Sequence, residues 1–125
     1  MAENLEKKIF LICPVRNITD EENQFLQNYI SELESGNNKV HYPPRDTDQE
    51  DPVGYDICSE NREAISAADE VHIYWNPGSS GSGFDLGMAF MEHKPIKLIN
   101  KDKIPKTSHK SFENVLHKLD EIYNL

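Results

Sequence analysis

Positive charge is scarce in this sequence. Its 125 residues carry 22 acidic and 13 basic side chains, which gives a formal net charge of −9 at pH 7. Arginine occurs only at Arg16, Arg45 and Arg62. Proteins that bind nucleic-acid polymers neutralise backbone phosphates with Lys and Arg. The charge balance therefore argues against a nucleic-acid polymer as partner, although one local cation could still bind a small anion.

Cysteine is scarce as well, since Cys13 and Cys58 are the only two. Nothing in the sequence indicates an oxidising compartment, so we expect no structural disulfide. No Cys/His cluster has the spacing of a zinc site, and we expect neither a metal nor a cofactor.

Long apolar runs are absent. No run approaches the roughly 20 apolar residues that a transmembrane helix needs, and residues 1–8 lack the architecture of a signal peptide. These absences predict a cytoplasmic protein with no membrane partner. The length fits one domain over residues 1–125, with a core of useful size.

Apolar segments typical of strands alternate with amphipathic segments. The strands are predicted at residues 8–13, 39–42, 70–75 and 96–99. The helices are predicted at residues 19–36, 56–68, 82–92 and 111–123. Thr19 and Glu22 form a capping-box pattern at the start of the first helix, and Gly36 ends it. Residues 43–52 are predicted to be a polar, acidic loop outside the core.

Strands that alternate with helices form parallel units joined by right-handed crossovers. The sequence therefore predicts an α/β, Rossmann-like (flavodoxin-like) fold. Its doubly wound sheet has four or five mainly parallel strands in the order 2-1-3-4, with helices on both faces. In that order the loops after strands one and three, residues 14–18 and 76–83, meet at the topological switch point, where such sheets bind ligands.

The loop after strand three is rich in small residues. Backbone N–H groups at Gly and Ser can approach a ligand closely, and the N-terminus of the next helix favours negative charge. The loop matches neither the Walker pattern nor the dinucleotide-binding fingerprint. Ser79, Ser80 and Ser82 are either ordinary loop residues or, together with Gly81 and Gly83, the residues that hold a phosphate or a sugar.

Asp85 follows this loop and is predicted to lie in the first turn of the next helix. One interpretation is structural, because Ser82 and Asp85 match a capping box and an acid in the first turn stabilises the helix dipole. The other is chemical. The helix is apolar on nearly every side, and a carboxylate at the mouth of a buried helix needs a partner or a function.

Four further residues have two interpretations each. Arg16, in the loop after strand one, is either a surface residue or an anion contact close to Asp85. Asn61 interrupts an apolar helix face, and it either bonds to nearby backbone or reaches the same pocket. Trp75 and Tyr55 either stack on a nucleobase or pack within the protein.

Four segments stand out in order along the chain: Ile-Phe-Leu-Ile-Cys-Pro-Val-Arg16, Asn61-Arg-Glu-Ala-Ile-Ser-Ala-Ala-Asp69-Glu-Val-His-Ile-Tyr, Ser79-Ser-Gly-Ser-Gly-Phe-Asp85-Leu-Gly-Met-Ala, and Lys94-Pro-Ile. Together they resemble the nucleoside 2-deoxyribosyltransferase superfamily. Their layout is most similar to its deoxynucleoside 5′-monophosphate N-glycosidase branch. The similarity covers about residues 8–100, and the loop with its acid is the most specific part.

The resemblance implies a site for a 2′-deoxynucleoside or its monophosphate, where a carboxylate attacks the anomeric carbon and water or a second base receives the sugar. By position, Asp85 corresponds to the nucleophile, and Arg16 and Ser79 to phosphate contacts of the monophosphate branch. Asn61 corresponds to the carboxylate that assists the leaving base or orients the sugar. Two positions depart from the family, because its nucleophile is usually glutamate and because Asn61 cannot transfer a proton. The resemblance also implies a homodimer or a higher homo-oligomer.

Three functions are open at this point. The first is an enzyme that cleaves or transfers the N-glycosidic bond of a small-molecule deoxynucleoside or its 5′-monophosphate, with Asp85 and Asn61 as the catalytic pair. The second is a non-catalytic nucleotide-binding or sensor module on the same fold. The third is a structural or interaction domain. The acidic loop formed by residues 45–51 could cover the pocket or reach a neighbouring subunit, and the sequence does not decide between these two positions.

Overall fold

The computed structural model describes residues 6–125. Residues 1–5 of the N-terminal segment considered above lie outside this range. The strands are β1 Lys8–Ile12, β2 Lys39–His41, β3 Glu70–Ile73 and β4 Ile96–Leu98. The helices are α1 Asp20–Ser35, α2 Pro43–Asp46, α3 Tyr55–Ala67, α4 Ser80–Met91 and α5 Phe112–Tyr123, and a 3-10 turn covers Lys101–Lys103.

The four strands form one parallel sheet in the order β2-β1-β3-β4. This confirms the predicted fold class and strand order. The part of the chain that the structure describes contains no fifth strand. Instead, α5 covers the edge of β4, where the backbone N–H of Leu98 donates to Asp120 Oδ1 at 2.9 Å. An edge strand that is covered in this way is protected from pairing with another chain.

The central strand β1 is buried on both faces, as its continuous apolar run predicted. Phe10 and Ile12 pack into one core with residues from α3, α4 and α5. Leu11 and Cys13 pack into a second core with residues from α1. Helices therefore cover both faces of the sheet, as predicted.

The first helix begins and ends where the sequence predicts. The Glu22 N–H donates to Thr19 Oγ1 at 3.0 Å, and the Thr19 N–H donates to Glu22 Oε1 at 2.9 Å. These two reciprocal bonds are the predicted capping box. Gly36 follows the last residue of the helix.

The prediction for residues 43–52 was partly wrong. The segment begins with the short helix α2, and Pro43 and Thr47 are buried. The ring of a Pro at the first helical position already fixes φ at a helical value. In addition, Asp46 Oδ2 accepts a hydrogen bond from the Tyr42 N–H at 2.8 Å, which closes the turn.

The start of α4 was also predicted wrongly. Its N-cap is Ser79, whose hydroxyl accepts from the Ser82 N–H, so the proposed capping box of Ser82 and Asp85 does not form. Asp85 therefore lies in the second turn of the helix. The first turn contains no acidic residue.

α4 is not buried all round, contrary to the sequence-based expectation. Leu86 and Ala89 face the core, whereas Phe84 and Phe90 are each 57% exposed and Met91 is 78% exposed. The helix therefore has an apolar outer face. Among residues 6–125, no helix combines the length and apolar character that crossing a membrane requires.

Candidate functional site

A cavity of about 660 Å³ opens at the carboxyl ends of β1 and β3. It lies at the switch point, where the strand order predicted a ligand site. Arg16 and Asp85 both line it, although they are far apart in sequence. The lining residues are Cys13, Pro14, Val15, Arg16, Asn17, Pro43, Gln49, Ile57, Cys58, Asn61, Asn76, Gly78, Ser79, Ser80, Gly81, Ser82, Phe84 and Asp85.

α4 places Asp85 in this cavity, where its side chain has few polar neighbours. Its hydrogen-bond partner is Asn61, whose Nδ2 lies 3.4 Å from Oδ2 of the carboxylate. Within residues 6–125 Asp85 forms no ion pair. Burial raises the pKa of Asp85 to about 6, and the hydrogen bond from Asn61 acts in the opposite direction but is weaker. Asp85 is therefore a carboxylate that is poorly solvated and has no cation beside it.

Asn61 reaches the cavity from the middle of α3. Its side-chain oxygen accepts a hydrogen bond from Thr47 Oγ1 at 2.8 Å, and its nitrogen points to Asp85. Of the two interpretations of Asn61, the structure therefore supports the one in which it reaches the pocket. Its side chain is bound to two other side chains and is buried.

The start of α4 presents its first backbone N–H groups to the cavity. The Ser79 and Ser82 hydroxyls bond to each other at 2.8 Å, and the Ser82 N–H donates to Ser79 Oγ at 3.3 Å. These two serines are thus used to cap the helix. The N–H groups of Ser80 and Gly81 come first in the helix and have no acceptor within it. Such a helix end is suited to an anion.

The structure leaves open space beside two glycines near the start of α4. A Cβ atom at Gly81 or at Gly83 would meet no protein atom within 4 Å, and neither residue has a positive φ. Gly81 lines the cavity, whereas Gly83 does not. Glycine at position 81 is therefore not required by packing within the protein, and the open space beside it is available to a ligand.

Arg16 is the arginine that lies at the cavity. It is exposed, and within residues 6–125 it forms no ion pair. By contrast, Arg45 is bound to Asp46 at 2.8 Å and to Glu34 at 3.1 Å, outside the cavity. Arg16 is therefore free to contact an anion.

The two aromatic residues considered for base stacking do not line the cavity. Trp75 is buried in the core, and its indole N–H donates to Glu113 Oε2 at 2.7 Å. Tyr55 begins α3 and is largely exposed. Of the two interpretations, packing describes Trp75.

Sequence reasoning missed several residues of the cavity. Cys13 follows β1, and burial together with the nearby charge of Asp85 raises the pKa of its thiol to about 12, which keeps the thiol neutral. Gln49 lines the cavity and Thr47 bonds to Asn61, and both belong to the segment that was predicted to be a loop. No local pattern marks these two, because their role depends on how that segment folds against α3. Residues 6–125 contain no group of three or more side chains that could hold a metal ion.

Two solved structures are similar to this chain. One is the CMP N-glycosidase BcmB of Clostridium botulinum, with 20% sequence identity, a TM-score of 0.56, and coverage of 90% of this chain and 82% of that one. The other is a 2-deoxyribosyltransferase from the bacterium Bacillus psychrosaccharolyticus, with 18% identity, a TM-score of 0.59, and coverage of 90% and 95%. This chain has the same fold as these two proteins. The resemblance that the motifs predicted is confirmed at this level. No protein-family model and no curated protein sequence matches the chain.

Proposed function

We propose that this protein cleaves or transfers the N-glycosidic bond of a 2′-deoxynucleoside or its 5′-monophosphate. The observation that carries the proposal is the Asp85 carboxylate, which lies in the switch-point cavity and has no cation paired with it. The names of the two similar structures, a CMP N-glycosidase and a 2-deoxyribosyltransferase, support the same reaction class. The proposal treats residues 1–125 as one cytoplasmic domain of the nucleoside 2-deoxyribosyltransferase type.

The proposed reaction has two displacements at the anomeric carbon. A carboxylate oxygen of Asp85 attacks this carbon, and the base departs with the electrons of the N-glycosidic bond and takes up a proton from water. Water or a second base then attacks the same carbon, loses a proton to the solvent and releases the Asp85 carboxylate. Asn61 orients the substrate and the carboxylate and does not transfer a proton, because an amide does not titrate.

The anion-binding part of the proposed site comes from two loops. Arg16 and the backbone N–H groups of Ser80 and Gly81 would hold a 5′-phosphate or sugar hydroxyls. The Ser79 and Ser82 hydroxyls support this arrangement by fixing the first turn of α4. In this proposal the ligand occupies the open space beside Gly81.

The test is to incubate the protein with each deoxynucleoside and deoxynucleoside monophosphate, with and without a second base, and to measure free base by chromatography. We expect base release from at least one substrate, and a loss of about a thousandfold or more in Asp85→Ala. Glu121→Ala, which removes an exposed carboxylate on α5, serves as the control and should keep full activity. Equal base release by Asp85→Ala and the parent would reject Asp85 as the nucleophile.

A second candidate function is a nucleotide-binding or sensor module without catalysis. The residue beside Asp85 at position 61 is an amide, which cannot transfer a proton, and this favours the second candidate. Thermal unfolding in the presence of a nucleotide panel separates the two candidates. Ligand at a hundred times Kd should stabilise either protein by about 2.7 kcal/mol. Stabilisation without base release would support the sensor.

The proposal includes a homodimer formed through the outer face of α4. Phe84, Phe90 and Met91 are exposed on this helix, and Phe84 also lines the cavity, so the apolar face is continuous with the site. Exposed apolar side chains that cluster in this way mark interaction surfaces. Light scattering after size exclusion should give twice the chain mass, and Phe90→Glu should give the monomer. A monomeric parent protein would refute the dimer.

A further inference from the structure

A chain of hydrogen bonds connects the strand β2 to the candidate nucleophile. His41 Nε2 lies 2.7 Å from Thr47 Oγ1, and Thr47 Oγ1 donates to Asn61 Oδ1 at 2.8 Å. Asn61 Nδ2 then donates to Asp85 Oδ2 at 3.4 Å. The segment 43–52, which contains Thr47, thus contributes to the site.

The direction of this chain follows from the carboxylate at one end. A carboxylate only accepts hydrogen bonds, so Asn61 must point its N–H groups at Asp85 and its oxygen at Thr47. The single hydroxyl hydrogen of Thr47 is then used by Asn61, and His41 must donate to the same hydroxyl oxygen. If Asn61 were reversed, its oxygen would face the Asp85 carboxylate and the two acceptors would repel each other.

Thr47 and His41 are both held in place by further contacts. Its side chain is buried, and its N–H donates to the Pro43 carbonyl at 3.0 Å. Gln49 Nε2 donates to the Thr47 carbonyl at 3.2 Å. His41 is held in turn by stacking on Phe10, with ring centroids 5.2 Å apart and planes 9° from parallel.

We propose that Thr47 is a positioning residue for this site, and that its hydroxyl, held by His41, keeps the Asn61 amide turned so that its N–H points to Asp85. The effect on reaction rate rests on the proposed function, whereas the amide orientation does not. The charged groups that act on His41 are Asp46 and Arg45 of α2 and Glu60 of α3. On the Asp85 side the titratable neighbour is the Cys13 thiol.

The first test measures the Asp85 carboxyl directly, by NMR titration of protein labelled with ¹³C-aspartate. Thr47→Val keeps the shape of the side chain but removes the hydroxyl, so the Asn61 oxygen loses its donor and the amide is no longer held against the carboxylate. We expect the pKa of Asp85 to rise by about half a pH unit or more in Thr47→Val. Thr47→Ser, which keeps the hydroxyl, should titrate like the parent.

Thr47→Ala is a second variant without the hydroxyl, and it should give the same rise as Thr47→Val. A titration of Asp85 that is unchanged in both variants would overturn the proposal. If both variants fail to fold while Thr47→Ser folds, the hydroxyl serves the fold, and the proposal is overturned as well. Amide NMR spectra of each variant distinguish these cases.

The second test is kinetic. Thr47→Val should lower kcat about tenfold and leave KM within about twofold, because the substrate still binds but the carboxylate is less well placed. Thr47→Ser should restore kcat. An active parent with an unchanged kcat in Thr47→Val would overturn the positioning role and leave the proposed function intact. A parent without turnover would reject the proposed function, while the titration would still report on the amide orientation.

Discussion

Two carboxylates lie near opposite ends of β3, and their surroundings differ sharply. Glu70 begins the strand, and it accepts from Lys7 Nζ at 2.7 Å and from His72 Nε2 at 2.8 Å. Asp85 lies in the helix that follows the strand, and its partner is one amide at 3.4 Å. Both carboxylates are removed from bulk water to a large extent, but Glu70 is paired with a cation and Asp85 is not.

The two pKa shifts show what this pairing does. Burial raises the pKa of both groups, but at Glu70 the hydrogen bonds from Lys7 and His72 outweigh it, and the net pKa is lowered. At Asp85 the hydrogen bond from Asn61 does not outweigh burial, and the pKa rises to about 6. The partner therefore decides the sign of the shift.

His72 belongs to the same hydrogen-bond network as Glu70. Burial lowers its pKa despite the neighbouring Glu70, so the ring is neutral, and its Nδ1 lies 2.6 Å from the Tyr29 hydroxyl. Every polar group of this network has a partner, which is how a structural carboxylate is stabilised. A half-buried carboxylate without such a network, at a cavity, is a candidate for chemistry.

The largest expected effect comes from removing Glu70, the carboxylate that is paired with a cation. Glu70→Ala leaves Lys7 and the buried His72 ring without their acceptor. We expect it to lower the free energy of unfolding by about 3 kcal/mol, measured by urea denaturation at pH 7. Glu121→Ala on the surface of α5 is the control and should leave stability unchanged. A loss as small as that of the control would mean that the network does not stabilise the fold.

Removing the charge of Asp85, the carboxylate without a cation, should change the free energy of unfolding in the opposite direction. The pKa of Asp85 is raised by folding, so its ionised form destabilises the native state above pH 6, and this penalty disappears below the unfolded value near pH 4. Asp85→Asn should therefore raise the free energy of unfolding by about 2 kcal/mol at pH 7 and leave it nearly unchanged at pH 4. Denaturant titrations of parent and variant at both pH values give the answer. A variant that is less stable than the parent at pH 7 would contradict this account of Asp85.

The smallest expected effects come from two glycine substitutions within α4. Gly81→Ala and Gly87→Ala both replace helical glycines whose Cβ positions are open, so each should stabilise the protein by about 0.5–1 kcal/mol. Gly81 lines the cavity and Gly87 does not. Only Gly81→Ala should weaken the binding of a deoxynucleoside monophosphate, measured by calorimetry. Equal affinities for both variants would place the ligand away from the start of α4.

Much of the fold could be predicted because its signals are local. The apolar run of β1 and the capping box at Thr19 each lie within a few neighbouring residues. The alternation of strands and helices indicated a doubly wound sheet, and the strand order assumed for such a sheet predicted that Arg16 and Asp85 would share an edge. The connectivity of parallel sheets therefore carried the prediction from sequence to cavity.

The remaining errors have physical causes. Ser79, Ser80 and Ser82 can each cap a helix, so the sequence did not decide where α4 begins, and Asp85 was placed one turn too early. Thr47 could not be predicted as a neighbour of Asn61, because their contact depends on how residues 43–52 fold against α3. The exposure of Phe90 could not be read from its apolar character, which suits a core and an interface equally well.

The central claim is that Asp85 forms a bond to the sugar, and covalent trapping tests it most directly. A 2′-fluoro-arabino analogue of the preferred substrate slows release of the sugar, because fluorine disfavours positive charge at the neighbouring anomeric carbon. Intact-mass and peptide mass spectrometry should then show one added fluorosugar, located on Asp85 and absent from Asp85→Asn. Base release without any label, or a label on another residue, would contradict the claim.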